Sequence, residues 1–272
     1  MRKLTIYAAL LGVFFFAIAP NVQAVEQSTA QVPIIMYHSV AGDHGNTSIS
    51  PEKMKADFQY LRDAGFQAVT IASLVDFVHH GTPLPDKPIV LSFDDGYYNN
   101  YSAVFPLAIE FEMPFVVSVI GKDTEIWSDS PAIDERHGHL TWAQIREMAD
   151  TNLVEMLNHT WDLHKIEHGR KGAAICPGEE QTAYQTLLRE DLGKLQTQLT
   201  EHCGITPIGF TYPFGNISPE AQEVLMDLGF LATLSCMDGV NTITQGNPDC
   251  LYKLRRYERT PGQSVQQILE GI

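Results

Sequence analysis

The sequence predicts an α/β fold, a closed or nearly closed β/α barrel of about seven parallel strands. Three observations lead there. Short apolar runs alternate with amphipathic helical stretches along nearly the whole chain, the pattern of parallel strands joined by helical crossovers. Reactive side chains recur just after the apolar runs, as they do where all strand C-termini share one face. No internal repeat or linker divides the 272 residues, a length that single-domain barrels often reach. A doubly wound open sheet is the alternative, because periodicity does not separate the two.

The elements follow in order. Val32 to Tyr37 reads as a buried strand. A helix over Pro51 to Ala64 follows, with Ser50 as N-cap, Pro51 at its first position and Gly65 as its stop. Phe66 to Thr70 is a strand and Ile71 to His80 a helix ending at Gly81. Pro88 to Phe93, Phe115 to Ile120, Leu153 to Asn158, Pro207 to Tyr212 and Phe230 to Cys236 read as further strands. Between them lie helices over Asn99 to Phe111, Thr141 to Thr151, Gln181 to His202 and Pro219 to Leu228. Tyr252 to Tyr257 is the candidate last strand and Ser264 to Leu269 the last helix. Two segments are long and polar, Gly121 to Leu140 and Lys165 to Glu180, and read as functional loops.

Residues 1–24 read as a signal peptide. Arg2 and Lys3 precede a short apolar run, Leu10 to Ile18, and Val22-Gln23-Ala24 suits a cleavage site. The apolar run is too short to span a bilayer comfortably, and Pro20 and Asn21 end it. Residues 25–272 then form one exported domain, periplasmic or secreted, without stable membrane insertion after cleavage. Cleavage removes two bases and no acid, which takes the net charge from −15 to about −17. So acidic a surface repels phosphate backbones, which argues against nucleic acid as a partner. Four cysteines, Cys176, Cys203, Cys236 and Cys250, favour disulfides in an exported chain. The expected pairs are Cys236–Cys250, closing a short loop, and Cys176–Cys203.

The chemistry gathers at strand ends. His38, Asp94-Asp95, His159, Pro213-Phe214-Gly215 and Asp238 each follow a predicted strand. One or two such placements arise by chance; five argue for a site. Adjacent carboxylates point different ways, so one can ligate a metal while the other takes a proton, and Gly96 permits the turn beyond them. An Asp-Asp-Gly surface turn is the plainer reading of that tripeptide alone. His159 and His164 are five apart, about 140° around a helix, so they cannot share a helical face. On a strand end and the loop beyond it they can meet at one ion. Two imidazoles and a carboxylate suit zinc or another divalent first-row metal.

Ser92-Phe-Asp-Asp-Gly96, the His159-Thr160 to His164 segment and Tyr212-Pro-Phe-Gly215 resemble the motifs of the NodB-homology polysaccharide deacetylases, carbohydrate esterase family four. Ile35-Met-Tyr-His-Ser39 and the six-residue histidine segment look like the branch containing poly-N-acetylglucosamine deacetylases. The resemblance spans roughly Val32 to Arg256. It implies a distorted β/α barrel, an acetylated glycan as substrate, and one divalent metal, zinc first, with nickel, cobalt or iron as alternatives. It implies Asp94 as catalytic base, Asp95, His159 and His164 as metal ligands, and Tyr212, Pro213, Phe214 and Gly215 as a groove wall offering backbone donors.

Two departures from the family pattern stand out. Thr211 occupies the place of an arginine that orients the base, and Leu254-Arg255-Arg256 lacks the usual acid histidine. His38 is the candidate acid, with a structural hydrogen-bonding role beneath the site as the alternative. Tyr97, Tyr98, Trp142, Trp161 and Phe214 can stack on sugar rings, though each alone is more often core or wall, and Trp142 reads as core. The function expected is hydrolytic removal of N-acetyl groups from a GlcNAc-containing glycan. The competing readings are an O-acetyl esterase on a glycan and a non-catalytic sugar-binding protein on the same scaffold.

Overall fold

The computed structural model describes residues 27–42, 45–129 and 133–272. The expected signal peptide lies outside them. The elements are β1 (Thr29–Val32), β2 (Ile34–Tyr37), α1 (Pro51–Asp63), β3 (Gln67–Ala68), α2 (Ile71–His80), β4 (Pro88–Phe93), α3 (Phe105–Phe111), β5 (Phe115–Val119), α4 (Gly121–Ser128), α5 (Trp142–Ala149) and β6 (Val154–Asn158). After them come β7 (Ile166–Glu167), β8 (Arg170–Lys171), α6 (Gln181–Cys203), β9 (Gly209–Thr211), α7 (Gln222–Asp227), β10 (Ala232–Leu234), β11 (Asn241–Thr244), β12 (Tyr257–Glu258) and α8 (Val265–Leu269).

The main sheet runs β10-β9-β6-β5-β4-β2-β12, with β3 beside the start of β4, and every pair in it is parallel. From β4 to β10 each strand of this sheet lies next to the one before it, so the sheet winds in one direction and no order reversal marks a doubly wound sheet. Leu254 bridges Leu234 in parallel while β12, a few residues on, pairs with β2. The last strand therefore links both edges, and the sheet curls into the expected barrel.

Side-chain alternation explains what fills it. Val90, Val116 and Leu157 lie in one buried cluster with Leu74, Phe77 and Val78 of α2, which packs across the strand N-terminal end. Two residues further along, Ser92, Ser118 and His159 continue the same faces. The interior thus changes from apolar to polar towards the strand C-termini. Glu155, inward on β6, accepts hydrogen bonds from the N–H groups of Ile71 and Ala72 at 2.7 and 3.2 Å. Burial pushes its carboxyl up to about 7 against those bonds.

Several expected elements were corrected. The segment 121–140 contains α4, whose short polar sequence carries no apolar stripe. The helix over 99–111 opens as a π turn at Asn100–Val104, because Pro106 has no N–H for the regular ladder. β1 pairs antiparallel with β11, a sheet the sequence did not announce. The disulfides do not form: all four cysteines are free. Cys203 is buried with its thiol on the Trp142 carbonyl, Cys236 lies by Met36, and Cys250 lies on the Thr244 backbone. Neither expected pair is adjacent.

Candidate active site

The strand ends bring Asp95, His159 and His164 together. One ligand atom from each lies within 4.8 Å of the others. Asp95 Oδ1 is 3.5 Å from His159 Nε2 and 3.3 Å from His164 Nε2. It is buried and, among the described residues, has no hydrogen-bond partner. His159 Nδ1–H donates to the Thr211 carbonyl at 2.8 Å, which fixes the ring and leaves Nε2 facing Asp95. A buried orphan oxygen and two converging ring nitrogens are the donor set a divalent ion needs.

The electrostatics agree. Burial alone would raise the Asp95 carboxyl, but the His159 imidazole and the charges of His38 and His164 pull it well below the usual range. Burial and the neighbouring His159 lower His164. His159 is raised, the Asp95 and Asp94 carboxylates outweighing its burial.

The backbone carries the strain this requires. Asp95 and Thr160, non-glycine residues, take φ of 70° and 79°. Asp95 is held there by His139, whose Nδ1–H donates to the Asp95 carbonyl at 2.9 Å. Burial and the Asp95 carboxylate raise the Tyr97 hydroxyl, and the Tyr97 ring stacks on His139 with centroids 5.0 Å apart.

Asp94 faces the opposite way. Arg256, fully buried, grips it with two parallel bonds, Nη1 to Oδ1 at 2.7 Å and Nη2 to Oδ2 at 2.8 Å. Arg256 is itself fixed by the Ser235 carbonyl at 2.7 Å and Ser92 Oγ at 3.1 Å. Burial would raise Asp94, and the Arg256 guanidinium lowers it instead. Sequence reasoning missed this residue. The arginine expected before Pro213 is absent, and Arg256, just before the last strand, reaches the same carboxylate. The only local signal was a basic pair in an otherwise strand-like run.

His38 is half-buried and close enough to lower both carboxyls by its charge. Asn100 donates to its carbonyl at 3.0 Å, and its Nδ1 is buried without a hydrogen-bond partner among the described residues. Phe214 is exposed, at φ 57°, with its ring 4.4 Å from that of His164. Tyr212 and Pro213 are buried and form the wall behind it. The N–H groups of Tyr212 and Gly215 donate to the carbonyls of Leu234 and Tyr212, and Pro213 has none, so Phe214 N–H is that segment's candidate donor.

Two expected contacts fall elsewhere. Trp161 is buried, packed on Gly121 and covered by Lys194, whose Nζ is 3.7 Å from the ring centroid. It braces the histidine loop and presents no face to a sugar. Asp238 lines a separate cleft with Tyr257, Glu258 and Thr260.

Comparison with known proteins follows this geometry. The chain is 30% identical over 270 residues to the poly-beta-1,6-N-acetyl-D-glucosamine N-deacetylase of Escherichia coli strain K12, which covers 86% of this chain and 40% of that protein. The chain thus spans two fifths of that relative's length. Among solved structures, IcaB from Ammonifex degensii has a TM-score of 0.73 at 26% identity, covering 88% of this chain and 96% of that one. The deacetylase domain of BpsB from Bordetella bronchiseptica has a TM-score of 0.68 at 28% identity, covering 85% and 95%. The Polysaccharide deacetylase family profile matches residues 81–233, more than half of the chain. With the motif residues converging at the strand ends and that match across them, the chain belongs to the polysaccharide deacetylase family.

Proposed function

We propose that this chain is an exported, metal-dependent hydrolase that removes N-acetyl groups from a β-1,6-linked N-acetylglucosamine glycan. The observation that carries the reading is the pair of adjacent carboxylates with divided roles, Asp95 turned to two histidines and Asp94 clamped by Arg256. A sugar-binding protein has no need of a clamped base beside a metal site. The linkage rests on the similarity to the Escherichia coli protein. The N-terminal signal reading supports export.

Asp95, His159 and His164 would hold one divalent ion, zinc by ligand type, with nickel, cobalt or iron fitting the same donors. When bound, such an ion polarises the acetyl carbonyl and makes water at the site more acidic. The chain's own groups then move the protons. Asp94 accepts a proton from water as its oxygen attacks the carbonyl carbon, and Arg256 keeps that carboxylate aimed and ionised until then. Phe214 N–H, not used by the backbone bonds of its neighbours, donates to the developing oxyanion. His38 delivers a proton to the amide nitrogen as the C–N bond breaks, yielding acetate and a free amine. With Nδ1 buried, Nε2 is the nitrogen that can deliver it. Phe214 offers an exposed ring for a sugar face.

Acetate release on a glycan panel tests the reading. N-acetylated β-1,6-glucosamine oligomers are expected to yield one acetate per new amine, and O-acetylated xylan little. The reverse order would establish an O-acetyl esterase, and no release from any glycan a binding protein. On the same panel, His38→Ala is expected to slow the amide by at least about a hundredfold while sparing an activated aryl acetate, whose phenolate leaves without a proton. Equal losses on both substrates would make His38 structural.

A further inference from the structure

The excursion from His159 to His164 is held by a residue that touches no candidate ligand side chain. The N–H groups from Thr160 to Leu163 all have side-chain acceptors. Thr160 donates to Asn158 Oδ1 at 2.9 Å and Leu163 to Thr160 Oγ1 at 3.1 Å. Between them, Trp161 donates to Asp191 Oδ1 at 2.7 Å and Asp162 to Asp191 Oδ2 at 2.9 Å. On the other side, the carbonyls of Thr160 and Trp161 accept from the N–H groups of Gly121 and Lys122 at the start of α4. The Trp161 ring sits against Gly121, where a Cβ would come within 2.4 Å of Cε3, and under Lys194. Asp191 and Lys194 are one turn apart on α6, so a single helical turn grips both the backbone and the ring.

Asp191 is unusual in its own right. It is a half-buried carboxylate in mid-helix, lining a cleft with Asp162 and Lys165, and its close hydrogen bonds are to two neutral backbone groups. Burial pushes its carboxyl up to about 6. A neutral residue at this position would avoid that desolvation. What the carboxylate supplies is two acceptors at a fixed separation, matched to two successive N–H groups. That fixes the loop and hence the distance between the two imidazoles.

We propose that Asp191 is a positioning residue for the metal site, acting through the backbone of Trp161 and Asp162 to hold His164 opposite Asp95 and His159. The inference rests on the metal reading given above. Asp191→Asn keeps the volume but supplies one acceptor and turns an NH2 group towards the other N–H. Asp191→Glu keeps the charge and both acceptors but displaces them by one methylene.

The test uses the full chain, zinc as probe in competition with a chromophoric chelator, and the visible absorption of the cobalt-substituted protein. Wild type is expected to bind one zinc. Asp191→Asn is expected to bind about 10- to 100-fold more weakly, with an altered cobalt spectrum, and Asp191→Glu to fall between. A purely structural role would lower the melting temperature of the metal-free protein yet leave affinity and spectrum unchanged, and that result overturns the proposal. If Asp191→Asn does not fold, wild-type affinity and spectrum in Asp191→Glu overturn it equally. Absence of zinc binding by wild type would instead remove the metal reading itself.

Discussion

Asp94→Asn is expected to reduce acetate release by at least about a hundredfold while one divalent ion remains bound. Asn keeps the shape of the side chain and one acceptor oxygen but cannot take the proton from water. The proposed ligand Asp95 lies next to it and points to the two histidines, so metal binding and chemistry should separate. The substitution also leaves Arg256 buried without its counter-charge, which costs on the order of 3–5 kcal/mol of stability. Activity is therefore compared at a temperature where circular dichroism shows both proteins folded. A variant with full turnover would remove Asp94 from the role of base. Loss of the metal would mean that the two carboxylates do not divide their work.

Arg256→Gln probes the same pair from the other side. It is expected to cost about 3–5 kcal/mol, because Asp94 becomes a buried carboxylate with no counter-charge. The sign of its pH dependence follows from the direction of the shift. In the wild type Asp94 is depressed, so its contribution to stability is complete above the unfolded carboxyl value of about 4 and is lost as pH falls through the lower folded value. The variant lacks that contribution. The gap between wild type and variant in urea unfolding should be full well above the variant's raised Asp94 value, begin to shrink as pH falls through it, and go on shrinking below about pH 4 as the wild type loses its own contribution. The acid limb of kcat/KM should move to higher pH in the variant, since burial then raises Asp94 against the weaker pull of His159 and His38 alone. A gap independent of pH, with an unmoved acid limb, would show that Arg256 packs beside Asp94 without governing its ionisation.

Much of this was legible in the chain. Val90, Ser92 and Asp94 alternate on one strand, and the period of two carries the interior from apolar core to reactive carboxylate. The spacing of His159 and His164 excluded a shared helix face and required the loop that the structure shows. The sequence singles out Asp94, Asp95 and His159 because each follows an apolar run whose end it marks.

The misses share a cause, which is that long-range partners leave no local trace. Arg256 reaches Asp94 across 162 residues, and nothing near Leu254 shows that this segment joins the two edges of the sheet. Trp161 falls among the aromatics that could stack on sugar, though each alone is more often core or wall. Its burial is decided by Gly121 and by Lys194 on α6. The cysteine pairs were inferred from export and an even count, but the fold places the four thiols in separate surroundings.

Metal content measured against activity tests the central claim most directly. Wild-type protein stripped with a chelator should release no acetate from an N-acetylated β-1,6-glucosamine oligomer, and activity should return in proportion to zinc up to one equivalent. His159→Ala, treated identically, should bind far less than one equivalent and stay inactive. Undiminished acetate release from metal-free wild type, or one tightly bound equivalent in His159→Ala, would contradict the account.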